Sequence, residues 1–197
     1  MRLKVATFFG SRLNLNGDQA NLHVLQTRAR SYGFELEVNS FELAEGASGA
    51  DLIFIGHGSI AALQSIQEEF RALDGLLENH LVMAVGSGAE RVAQALGIET
   101  TRGERVSKFV EHKLTLAGET QKVIGYENSE TRGIDTRFVG KCLLTLLHGP
   151  VLAKNPDLAD FLLGEMLKPK GLELGPKPQS LFRLDQLAEA ARSDALR

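Results

Sequence analysis

Two stretches decide the fold: Asp51-Leu52-Ile53-Phe54-Ile55-Gly56-His57-Gly58-Ser59 and Leu81-Val82-Met83-Ala84-Val85-Gly86-Ser87-Gly88-Ala89. Each is a short apolar run that ends abruptly in small residues. A run apolar at every position, rather than at alternate ones, is what a strand buried on both faces requires, and such strands belong to parallel sheets. The text after each run reads as a helix, from about Ala61 to Leu77 and from about Ala89 to Leu96. Strand, tight turn and helix, repeated, predict an α/β fold: a mostly parallel sheet in three layers, flanked by helices.

The same alternation extends in both directions. Leu3 to Phe9 reads as the first strand, with Asp18 or Asn21 expected to cap a helix carrying Leu22, Leu25 and Ala29. Tyr32-Gly33 should stop that helix, and Phe34 to Val38 alternates like a half-buried strand. Val106 to Tyr126 changes to shorter alternating runs, as in an antiparallel section. Cys142 to Leu147 reads as another buried strand leading to His148-Gly149-Pro150, and a helix is expected over Pro156 to Leu167. Residues 1–167 therefore read as one domain. Residues 168–197 read as a proline-containing linker and an amphipathic helix capped by Ser180, with Leu181, Leu184, Leu187, Ala188 and Ala191 on one stripe.

Composition bounds the function. The 197 residues are 43% hydrophobic, with 22 basic and 25 acidic side chains and a formal net charge of −3. That balance is globular and argues against a dedicated nucleic-acid binder, which carries a basic face. No apolar run nears the roughly 20 residues of a membrane span, and the first residues are too short in apolar stretch for a signal peptide, so a cytoplasmic protein is expected. Cys142 is the single cysteine, which excludes an internal disulfide and a cysteine-based zinc site.

Ligands in such folds sit beyond the carboxyl ends of the strands. Three loops converge there: Gly56–Ser59, Gly86–Gly88 and His148–Pro150. A small-residue turn between strand and helix is the setting of a nucleophile elbow, whose following N–H groups face a developing oxyanion. Ser87 is the nucleophile on offer in that turn and His148 the natural base, yet the same text fits a glycine-rich turn with a solvated serine and a structural histidine. His57, between two glycines, is a loop residue or a ligand. His57, His148 and Glu127 lack the short spacing of a metal site, so no metal and no cofactor are expected.

The residues also carry a family resemblance. Leu13-Asn14-Leu15-Asn16-Gly17-Asp18-Gln19-Ala20-Asn21-Leu22 resembles the M-N-L-Y-G-D-R-G-N-I signature of the GatD-like class I glutamine amidotransferases. These are glutaminases of the cobyric acid synthase type that serve lipid II isoglutaminyl synthase. Leu147 to Asp160 is similar to that family's L-H-G-P-L-L-P-K-N-P-x-L-A-D block, and Gly125-Tyr126-Glu127-Asn128 to its G-F-E-N-H segment. The resemblance implies a flavodoxin-like class I amidotransferase fold, and a cysteine nucleophile that passes ammonia to a Mur-ligase-like (MurT-type) partner in peptidoglycan synthesis. It places the catalytic histidine at His148, a supporting carboxylate at Asp18, a glutamine-binding arginine at Arg105 and the glutamine- and oxyanion-binding loop at Gly56, His57 and Gly58.

It places the nucleophile at Gly86, which has no side chain, and Cys142 lies too far along the chain to replace it. Ser87 and Ala89-Glu90 also depart from the family's elbow. The resemblance therefore implies a GatD-like subunit without ordinary glutaminase activity. Two alternatives stand beside it: a hydrolase or acyl transferase of altered chemistry using Ser87 with His148, and a sensor binding glutamine or a related small molecule.

Overall fold

The computed structural model describes residues 1–196. Its main sheet has six strands in the order β2-β1-β3-β4-β8-β7. These are β1 Arg2–Phe8, β2 Glu35–Phe41, β3 Leu52–Ile55, β4 Val82–Val85, β7 Arg137–Val139 and β8 Cys142–Thr145. All neighbours are parallel except the edge pair β7 and β8. Side chains alternate across this sheet with period two. Leu52, Phe54, Met83, Val85 and Leu143 enter one core with helices α1 (Ala20–Ser31) and α7 (Pro156–Leu167). Ile53, Ile55, Val82, Ala84 and Leu144 enter the other. The strands are therefore covered on both sides, as their unbroken apolar runs require, and the expected three-layer α/β fold is present.

A second sheet stands against the first. β5 (Thr101–Leu116) and β6 (Glu119–Arg132) form a long antiparallel hairpin, joined by β9 (Leu147–His148). Its turn is Ala117-Gly118, both at positive φ, which suits a tight two-residue hairpin. The antiparallel section expected over Val106 to Tyr126 is this hairpin, longer at both ends.

Several local expectations are corrected. The helix read through Ala61–Leu77 is three short ones, α2 (Ile60–Ser65), α3 (Gln67–Arg71) and α4 (Asp74–Leu77). Ile66 leaves helical geometry at φ −125° while fully burying its side chain, so the segment bends to keep its apolar residues on the sheet. Helix α5 begins at Ser87 (Ser87–Ala95), two residues before the expected start, directly after Gly86. The strand from Cys142 ends at Thr145, whose hydroxyl accepts the Leu147 N–H and turns the chain into the second sheet.

Neither Asp18 nor Asn21 caps α1. The cap position is Gln19, and both side chains instead reach toward the loop after β9. Ser180 lies inside α8 (Gln179–Ala195), which follows Pro178.

Helix α8 folds back on α1 and on α6 (Val151–Lys154). Leu181 is fully buried, while Leu184 and Leu187 stay 44% and 60% exposed, so only part of the expected stripe is covered. Among the described residues no helix is long and apolar enough to cross a membrane.

Candidate functional site

The three glycine-bearing loops meet beyond the carboxyl ends of β3, β4 and β8. At Gly56 and Gly88 the backbones approach so closely that no side chain fits. A Cβ on Gly56 would lie 2.0 Å from the Leu13 carbonyl oxygen, and one on Gly88 would lie 2.6 Å from that of Gly56.

Gly86 is the apex. Its N–H donates to the Thr145 carbonyl at 2.8 Å, and its backbone sits at φ 56°, ψ −125°, a conformation that strains any residue with a side chain. Here α5 starts, with the Ser87 N–H facing the crevice.

That N–H is already engaged. It donates to Nδ1 of His57 at 3.0 Å. The neighbouring Gly58 N–H donates to the Ser87 hydroxyl at 3.0 Å, and the same hydroxyl donates to the Gly58 carbonyl at 3.1 Å. Ser87 is buried, so its oxygen clamps two loops together and faces no open space. The N–H groups of Ser87, in the elbow, and of Gly58, in the neighbouring loop, are thus both bound within the chain.

The two histidines face each other across the apex. Their rings are edge to face, 4.6 Å apart. A Cβ on Gly86 would lie 2.7 Å from Cε1 of His148 and 2.7 Å from Nδ1 of His57. Burial, and secondarily His148, pulls the His57 pKa down to about 4, so His57 is neutral at pH 7. Its Nδ1 accepts a hydrogen bond, so the ring proton resides on Nε2. His148 receives the Asn16 amide at Nδ1 (2.8 Å), which directs its Nε2–H toward the Asn128 carbonyl at 3.3 Å.

Asp18 is fully buried. Its two oxygens accept the N–H groups of His57 (3.1 Å) and Gly149 (3.0 Å), so it braces the histidine-bearing loops by their backbones. Burial raises its pKa, an effect those two N–H donors oppose. Arg105 is exposed at the rim, where Nε donates to the Asn128 side chain at 2.8 Å, next to the carbonyl that meets His148.

Cys142 is buried in β8, its thiol donating to the Leu77 carbonyl and pushed up to about 11 by burial. Glu127 pairs with His112 at 3.5 Å. Among the described residues no group of three or more His, Cys, Asp or Glu could hold a metal ion.

Sequence reasoning missed Asn16, whose amide fixes His148, although the residue stands inside the Leu13–Leu22 block. It also missed a run of hydrogen bonds behind the apex. His112 Nδ1 accepts the Thr136 N–H at 3.2 Å, the Thr136 hydroxyl lies 2.8 Å from that of Thr145, and the Thr145 carbonyl holds Gly86.

The fold is one shared with solved glutamine amidotransferases. A glutamine amidotransferase from Thermotoga maritima superposes with a TM-score of 0.52 at 13% identity, over 98% of this chain and 96% of that one. A Thermoplasma acidophilum protein assigned as a GMP synthase component superposes with a TM-score of 0.55 at 14% identity, over 86% and 96%.

In sequence, the chain is similar to the glutamine-hydrolysing lipid II isoglutaminyl synthase subunit GatD of Staphylococcus aureus. The two are 25% identical over 215 aligned positions, 89% of this chain and 88% of that protein. No protein-family model matches the sequence.

Proposed function

We propose that the chain is a GatD-like subunit of the amidotransferase fold that lacks ordinary glutaminase activity. In this reading it acts as the partner or regulatory subunit of a Mur-ligase-like (MurT-type) enzyme, in lipid II amidation or a related amidation. The observation that carries the reading is Gly86 at the apex of the strand-to-helix turn. A glutaminase of this class must form a bond between a side-chain sulfur and the glutamine carboxamide carbon, expelling ammonia. Glycine supplies no atom for that bond, and losing a nucleophile costs several orders of magnitude in rate. The internally bound N–H groups of Ser87 and Gly58 support the same reading. The preserved blocks around Asp18 and His148 support a retained scaffold.

The altered-chemistry alternative needs the Ser87 hydroxyl free to attack. Both of its hydrogen-bonding roles are spent on Gly58, which disfavours it.

The test has two parts. The purified chain, with and without a MurT-type ligase from its own organism, is assayed for glutamate release from glutamine. The same pair is tested for co-purification and for ligation supported by free ammonia. No glutamate release together with a stable complex is expected. Glutamate release by the wild type, lost in His148→Ala, would overturn the first half; failure to co-purify with any such ligase would overturn the second.

A further inference from the structure

We propose that the His57 side chain is a built-in plug: it stands in the place a side chain at the apex would take and closes the backbone anion site that the Gly86–Ser87 turn would otherwise present. Three contacts carry this. Nδ1 of His57 accepts the Ser87 N–H at 3.0 Å, so one donor of the site has an internal acceptor. A Cβ built on Gly86 meets that same Nδ1 at 2.7 Å and the His57 Cβ at 3.0 Å, so His57 and an apex side chain exclude each other. The His57 backbone is itself tied down, its N–H bound to the buried Asp18 carboxylate and its carbonyl accepting the Leu15 N–H at 3.0 Å, so the ring cannot leave by a simple loop shift.

A neutral imidazole nitrogen is a strong acceptor and half-buried here, so it replaces an anionic ligand without bringing a buried charge. The closure is thus not a feature of the glycine alone: His57 takes the Ser87 donor, while the His148 ring, 2.7 Å from the same built Cβ, crowds the apex from the other side. Supplying a thiol at Gly86 leaves the site shut. Removing the His57 side chain as well, including its Cβ, frees the Ser87 N–H and leaves the His148 ring as the one close neighbour of the apex. This inference rests on the reading of Gly86 as the nucleophile position.

Two measurements test it without an activity assay. The first is amide hydrogen exchange at Ser87 in wild type and His57→Gly, with circular dichroism to confirm folding. Loss of the acceptor is expected to accelerate exchange at Ser87 by about tenfold or more, while amides in the β3 and β4 strands hold their rates. An unchanged Ser87 rate would overturn the plug. The second is iodoacetamide labelling of Gly86→Cys against Gly86→Cys/His57→Gly, with wild type as the blank for buried Cys142. The double variant is expected to label about tenfold faster or more, since the thiol gains access and a free N–H that favours the thiolate; equal rates would overturn the proposal. If Gly86→Cys does not fold, the Ser87 amide decides alone. Glutamate release by the wild type would sink the functional reading, while the plug stands or falls on the exchange rate.

Discussion

Arg28 grips Asp160 with two parallel hydrogen bonds, Nε to Oδ1 and Nη2 to Oδ2, each 2.6 Å, and reaches Asp185 of α8 with Nη1 at 2.6 Å. Lys177, in the segment ahead of α8, meets Asp185 at 2.8 Å, and the Tyr32 hydroxyl donates to Asp160. Two cations meet two largely buried carboxylates in a clasp that fastens the last helix to α1 and α7, and Lys177 also reaches the exposed Asp157 at 3.3 Å.

Cutting one side of such a clasp leaves charge uncompensated. Arg28→Ala is expected to destabilise the protein by about 3–5 kcal/mol in urea unfolding, and to speed proteolysis within residues 171–178. Arg28→Lys should recover only part, because an ammonium cannot make the paired contact. A change under about 1 kcal/mol in Arg28→Ala would show that the clasp contributes little.

The apex predicts an intolerance. Gly86→Ala adds a Cβ at positive φ, worth about 1–3 kcal/mol of strain, and pushes it against two imidazoles, worth about 1–3 kcal/mol of overpacking. A fall of roughly 2–6 kcal/mol in unfolding free energy is expected by urea titration. Gly86→Ala in a His57→Gly background should lose less, because one of the two rings is gone.

Acid should weaken the fold through His57. Its folded pKa, about 4, lies below the ordinary histidine value of 6.5, so the fold favours the neutral ring. The stability this confers is fully present above pH 6.5 and is lost as pH falls toward 4. Asp18 works in the opposite sense, since its raised pKa favours the protonated form as pH falls. Comparing wild type with His57→Asn isolates the histidine. The wild-type protein is expected to lose about 1–3 kcal/mol more than the variant between pH 7 and pH 4.5. Parallel pH profiles would contradict the assignment.

Asp18→Asn is nearly isosteric but turns one acceptor into a donor facing an N–H. A destabilisation of about 1–3 kcal/mol is expected, with amide exchange rising at His57 and Gly149 together. A rise at only one of them would mean that Asp18 does not couple the two loops.

The strands were legible because burial on both faces writes itself as an unbroken apolar run, as in Leu52–Ile55 and Val82–Val85. The break at Ile66 was not, since Ile66, Phe70, Leu73 and Leu77 keep helical spacing across it. The convergence of three glycine-bearing loops followed from topology alone. What each side chain does there did not. Asp18 precedes a helix, which is the signal for a cap, yet its partners are 39 and 131 positions away. Asn16, His112, Thr136 and Thr145 are joined only by tertiary contacts, and no local pattern marks them. His57 between two glycines read as a loop residue or a ligand; that its ring would meet a neighbouring amide is decided by packing distances, which spacing does not encode.

The bond from Asp18 to Gly149 also has a bearing on how the molecule is made. Asp18 and Asn21 leave the ribosome long before Gly149 and Leu152, the residues that satisfy them. Until that late segment emerges, the nascent chain holds a carboxylate and an amide without their late partners, at a place that is wholly enclosed in the finished protein. The parallel strands β1, β2, β3 and β4 can pair first, but the crevice cannot set until β8 and β9 arrive. A chain truncated before Gly149 would therefore be expected to lose the order of its first loop as well as its own missing end.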